Sequence, residues 1–161
     1  VTRLITTVGG VGLLRPAPGT WGSAAGLLLG IFLHMAGGFW LLLAATVAVT
    51  ALGYWAVAAE VGDSSDDPSE IVIDEVAGQW VALWPVSFGA SMMGADILAL
   101  YPGLITAFIA FRVFDIFKPG PVGWADKQHG AFGIMADDII AGWLAAMIVA
   151  LFAVFAHLVL M

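Results

Sequence analysis

The chain contains no cysteine. That absence excludes disulfides, thiolate metal sites and phosphatases with a cysteine nucleophile; it carries no information about compartment. Charge is the second scarcity. Asp, Glu, Lys and Arg make up 11% of the 161 residues, against about a quarter in an ordinary soluble domain. Five residues are basic and the net charge is −7, a balance that argues against a nucleic-acid partner. Internal repeats and low-complexity linkers are also missing. The N-terminal run has no small-residue cleavage site, so it is not read as a signal peptide.

What remains is apolar: 61% of the residues are hydrophobic and the mean hydropathy is +1.02. A chain this short cannot hide that much apolar surface in one water-soluble core. The charge spacing says where it goes. No charged residue occurs in the 44 positions between Arg15 and Glu60, in the 20 between Glu75 and Asp96, or in the 23 after Asp138. A helical span takes roughly 20 apolar residues, so the first gap has room for two spans, with a hairpin near Gly37-Gly38. The sequence predicts one all-α domain over 1–161, a multi-pass membrane helical bundle. Its five crossings fall at about 20–36, 39–60, 74–88, 97–117 and 137–160.

The polar residues collect in three clusters: Arg15 to Ser23, Glu60 to Glu75 and Arg112 to Asp138. Five crossings put all three on one side of the membrane, together with Arg3, Arg15, Arg112, Lys118 and Lys127. Basic residues mark the cytoplasmic side, so the clusters are expected at the cytoplasmic interface. Trp21, Trp55, Trp80, Trp124 and Trp143 lie near that boundary and suit an interfacial aromatic belt; Trp55 and Trp80 suit the core equally well.

Each cluster has a plain reading beside a functional one. Asp137-Asp138, at the predicted start of the last helix, suit the helix dipole; two like charges at the edge of hydrocarbon suit a metal or catalytic site better. In "DPSEIVIDEVAG", Asp67-Pro68 reads as a helix start with Pro at its first position. Asp67 and Glu70 then act as caps, and Asp74 and Glu75, lying beyond the first turn, need another explanation. In "FRVFDIFKPGP", Arg112 and Asp115 pair along a helix face, while Arg112 and Lys118 also make a phosphate grip. In "PAPGTWGS", Gly19, Thr20, Gly22 and Ser23 begin a helix whose N–H groups suit an anion, although Thr20 or Ser23 serves equally as an N-cap. His129 reads as a proton shuttle or as a solvated loop residue. Together the clusters place hard carboxylate donors, with no thiol and little imidazole, beside cations. That combination favours Mg²⁺ and phosphate chemistry on a lipid head group.

The blocks "PGTWGS", "DPSEIVIDEVAG", "FRVFDIFKPGP" and "HGAFGIMADDIIAG", in order from Pro18 to Gly142, resemble those of the phosphatidylglycerophosphatase A family. The resemblance implies an Mg²⁺-dependent bacterial inner-membrane phosphatase that converts phosphatidylglycerophosphate to phosphatidylglycerol, with its active site facing the cytoplasm. Carried onto this chain, it implies Asp67, Asp74, Glu75, Asp137 and Asp138 as metal ligands. Gly19, Thr20, Arg112 and Lys118 hold the phosphate, and Asp74, Glu75, Asp115, Asp138 and His129 are catalytic. Gly120 stands where an aromatic residue is expected and Gln79 where an apolar one is expected; both bear on lipid fit more than on chemistry. The rival readings are a phosphatase for other lipid monophosphates and a transporter or ion-binding membrane protein.

Overall fold

A computed structural model describes residues 1–62 and 68–160, and in those residues the chain is helical with no strand. α1 (Thr2–Thr6) and a short 3₁₀ turn lead into α2 (Pro18–Val61), α3 (Ile73–Met93), α4 (Tyr101–Phe117), α5 (Pro121–Asp126) and α6 (Gly130–Leu160).

α2 is 44 residues long, but it is not one rod. Its backbone leaves helical geometry at Gly37 and Gly38, where Gly38 adopts φ 68°, ψ −161°, a conformation open to glycine alone without strain. The chain reverses there. On the way out, Gly22 meets Val72, Gly26 meets Val76 and Gly30 meets Leu83, and His34 Nδ1 lies 2.7 Å from Ser87 Oγ. On the way back, the Phe39 N–H donates to Ser91 Oγ at 3.1 Å, Trp84 Nε1 donates to Thr46 Oγ1 at 3.2 Å, and Gly53 reaches Ile73. Both halves of α2 therefore flank α3, as the hairpin expectation requires.

α3 is the centre of the bundle. Val76, Ala77, Val81, Ala82, Leu83 and Ala90 are buried within it. Trp80 is buried too, its Nε1–H donating to the Gly26 carbonyl at 2.7 Å, so it belongs to the core and not to a belt. By contrast Trp21, Trp55, Trp124 and Trp143 are exposed, as are Leu28, Phe32 and Trp40 of α2 and Phe152, Phe155 and Leu158 of α6. Apolar surface on this scale needs lipid against it. Among the described residues, three helical stretches are long and apolar enough to cross a membrane: Pro18–Val61, Ile97–Phe117 and Gly130–Val159. That is fewer than the five expected crossings. The two N-terminal ones belong to the single folded-back α2, and α3, which opens on two acids, is not among the three.

Two helix starts also differ from expectation. α6 begins at Gly130, with no acid in its first turn. Asp137 and Asp138 thus lie two turns inside the helix, where the dipole gives them little. α3 begins only at Ile73, with Asp74 and Glu75 in its first turn, so Asp67-Pro68 does not open it. The delay has a cause. The Val72 N–H is taken by the Thr6 carbonyl at 2.9 Å, and Glu70 is ion-paired to Arg3. α1 thereby holds the approach to α3 in a non-helical form.

Candidate active site

A close backbone approach between two helices sets the site. α3 and α6 cross at Gly78 and Gly142. A Cβ on Gly78 would sit 2.5 Å from the Asp138 carbonyl oxygen, and one on Gly142 would sit 2.3 Å from the Gly78 carbonyl oxygen. Small residues let helix backbones touch. Here the contact lies one turn below Asp74 and Glu75 and at the level of Asp138. The result is a trio: one carboxylate oxygen each from Asp74, Glu75 and Asp138, all within 4.8 Å of one another.

Asp74 and Asp138 are buried, 7% and 3% exposed. Asp74 Oδ1 accepts from the Glu75 N–H, and Asp137 Oδ1 from the Asp138 N–H, each at 2.9 Å. Among the described residues no cationic side chain pairs with the trio, and Glu75 Oε2 is buried without a hydrogen-bond partner. Three carboxylates so close repel one another unless a cation lies between them. The donor set, all oxygen, matches a hard divalent cation.

Cations ring the trio without entering it. Arg112, on α4, is ion-paired to Asp115 one turn on, and its Nη1 also donates to Ser23 Oγ at 3.2 Å. Lys118 caps the C-terminus of α4 in the left-handed region, φ 46°. Its ammonium lies 2.7 Å from Asp137 Oδ2 and pairs with Asp126 as well. Burial works against that charge, but the hydrogen bonds and charges of Asp126 and Asp137 together outweigh it, and the Lys118 pKa stands above the ordinary lysine value. Asp137 is therefore engaged with Lys118 and stands outside the trio.

α2 closes the wall. Its first turn leaves the Gly19 and Thr20 N–H groups without intrahelical partners. Gly19 lies so near the site that a Cβ there would fall 2.3 Å from Glu75 Oε1 and 3.2 Å from Arg112 Nη1. The resulting open cavity measures about 310 Å³ and is lined by Gly19, Thr20, Asp74, Glu75, Arg112, Asp115, Lys118, Asp137 and Asp138, with Ser69, Ile116 and Ile134 among the rest.

Nine of the predicted site residues thus share one cavity. His129 does not: it is exposed, just before α6, and is not part of the lining. Asp67 lies outside the described residues. One contributor was not singled out from sequence, Asp126 as a partner of Lys118; Ser23, read there as part of an anion site or as an N-cap, accepts from Arg112 instead. Asp126 had a weak signal, since it belongs to the third polar cluster, but only the short α5 turns it back toward Lys118.

An apolar helical bundle that gathers carboxylates, two cations and a helix N-terminus around one cavity at its charged end holds the groups a phosphatase uses. The family model for phosphatidylglycerophosphatase A matches residues 4–153. A "Phosphatidylglycerophosphatase A" of Haemophilus influenzae is 37% identical over 143 residues, 87% of this chain and 81% of that protein. A Bacteroides thetaiotaomicron protein, provisionally named a phosphatidylinositol-3-phosphatase, is 34% identical over 91% of this chain and 90% of its own. A third relative, "Phosphatidylglycerophosphatase A" of Escherichia coli, is 35% identical over 50% of this chain and 41% of that protein. The chain belongs to the phosphatidylglycerophosphatase A family and is a phosphatase. No solved structure matches it.

Proposed function

We propose that this phosphatase hydrolyses the phosphomonoester of phosphatidylglycerophosphate, releasing phosphatidylglycerol and phosphate, in an Mg²⁺-dependent reaction of bacterial phospholipid biosynthesis. The observation that carries the reading is the cavity itself, in which a buried carboxylate trio faces Arg112, Lys118 and the α2 N-terminus. Asp74, Glu75 and Asp138 would hold the metal, which when bound supplies Lewis-acid polarisation of the phosphoryl group. Arg112 grips phosphate oxygens as a planar fork and Lys118 as a point charge. The Gly19 and Thr20 N–H groups meet the same charge along the helix axis.

In hydrolysis a water oxygen bonds to phosphorus, the bond from phosphorus to the glycerol oxygen breaks, and that oxygen leaves with a proton. Asp115, on the cavity wall beside Arg112, is placed to take the proton from the water and return it to the leaving oxygen. His129, exposed and outside the cavity, has no part in this scheme. The acyl chains stay against the exposed apolar faces of the helices while the head group enters the cavity.

Arg3, Arg15, Arg112 and Lys118, each ion-paired at the end that holds the site, mark that end with basic charge. The basic-residue rule then faces it to the cytoplasm, in the inner membrane. A transporter would place its acids near the bilayer midplane; this trio lies at one end. The name of the Bacteroides relative favours a second substrate reading, an inositol lipid phosphate. Phosphate release from the two lipids by purified, detergent-solubilised protein separates them. Faster turnover of phosphatidylglycerophosphate supports the first reading, and release from the inositol lipid alone overturns it.

A further inference from the structure

One buried polar group has no role in that scheme. Gln79 lies on α3 four residues after Glu75, on the same helix face, and is fully buried. Across the interface is Gly26 of α2, where a Cβ would come within 3.3 Å of Gln79 Cβ. Gly19, Ser23 and Gly26 form one stripe of α2, while Glu75 and Gln79 form the facing stripe of α3. Gly19 abuts Glu75 and Arg112, Ser23 accepts from Arg112, and Gly26 covers Gln79. Gln79 is thus the layer directly beneath the Glu75–Arg112 part of the site.

A carboxamide has two donors and two acceptor positions, and buried polar atoms almost always find partners. Neither amide atom of Gln79 has one. Among the described residues, the other buried side-chain atoms in that condition are Glu75 Oε2 and Arg112 Nε. Glu75 and Gln79 lie one turn apart on the same face of α3, and Arg112 reaches Ser23 on the facing stripe of α2; the orphans comprise an acceptor, a donor and a group that is both. This is the complement of a small molecule that accepts from Arg112 Nε–H and donates to Glu75 Oε2 and to the amide. Water has that pattern, with the three or so bonds typical of a buried water.

We propose that Gln79 is a positioning residue: a buried water held by its carboxamide, Glu75 Oε2 and Arg112 Nε fixes the carboxylate against the guanidinium. The inference rests on the reading of Glu75 and Arg112 as site residues, but not on the identity of the lipid. Without the amide, Glu75 Oε2 and Arg112 Nε lose their shared partner, and the spacing between metal-holding and phosphate-gripping groups loosens although Asp115 and Ser23 still hold the guanidinium.

Two measurements test it. The first is an experimental map of the wild-type protein that resolves ordered water. It should show density within hydrogen-bonding distance of all three groups; a Gln79 amide bonded only to main-chain groups overturns the proposal. The second is Gln79→Met, similar in length but apolar, assayed on whichever lipid monophosphate the wild type hydrolyses. We expect kcat to fall roughly 10–100-fold, the range for losing a group that orients a metal ligand, with KM within about twofold. The melting temperature should change little, because Met keeps the length and nearly the volume of the side chain. Wild-type kcat in Gln79→Met overturns the proposal. Should phosphatidylglycerophosphate prove not to be a substrate, both measurements still stand.

Discussion

The two ends of the bundle handle polar groups in opposite ways. At the end holding Gly37, Ser87 and Asp96, polar side chains are few and settled. His34 meets Ser87, Ser91 accepts from the Phe39 N–H, and Asp96 accepts from the Leu98 N–H at 2.9 Å. At the other end lie the ion pairs found among the described residues, from Arg3–Glu60 and Arg15–Glu70 to Lys118–Asp137. Yet that end also keeps the unpartnered buried atoms, on Glu75, Gln79 and Arg112, and packs three carboxylates together. Polar groups that serve the fold are satisfied by it. Groups left crowded and unpaired are where a ligand or a buried water would find partners.

That contrast breaks first at the trio. Asp138→Asn should lower kcat by roughly 10²–10³-fold, as for other lost electrostatic contacts to a transition state, while the melting temperature is preserved. Full activity in this variant removes Asp138 from the site. Next comes the crossing that assembles the trio. Gly142→Val puts a side chain where a Cβ already lies 2.3 Å from the Gly78 carbonyl oxygen. It should cost about 1–3 kcal/mol in stability. It should also slow turnover by about 10²-fold, because displacement of about 1 Å is enough for that; melting curves and phosphate release report the two effects.

A smaller effect is expected at the rim. Asp126→Asn leaves Lys118 with Asp137 alone, and KM should rise about twofold to fivefold, the scale of a partly exposed ion pair. The smallest effect belongs to the far end. Ser87→Ala removes the partner of His34 and should cost about 1 kcal/mol of stability, leaving kcat and KM unchanged. Activity loss in Ser87→Ala with none in Asp138→Asn would reverse the comparison.

The site was more legible in the sequence than the helix ends were. The carboxylates and cations stood out because charge is so rare in this chain, and the uncharged gaps placed the turns that bring them together. The reversal at Gly37-Gly38 was visible for the same reason. Helix starts were harder, because they depend on long-range contacts. Nothing near Val72 signals that the Thr6 carbonyl takes its N–H and postpones α3 to Ile73. The last helix was expected from about 137, yet α6 begins at Gly130 and runs through Gly133, where a Cβ would lie 2.1 Å from the Gln128 carbonyl oxygen. These two shifts exchanged the explanations for the acids. Asp74 and Glu75 are at a helix start after all, and Asp137 and Asp138 are not. Gln79 looked like a departure affecting lipid fit; its full burial one turn after Glu75 on α3 is visible only in the structure.

The central claim is that the carboxylate trio holds a divalent cation used in phosphate-ester hydrolysis. The most direct test is release of phosphate from phosphatidylglycerophosphate by the purified protein, with Mg²⁺, after EDTA, and after Mg²⁺ is restored. The account predicts release that stops with EDTA and returns with Mg²⁺. Release that continues undiminished in EDTA would contradict it.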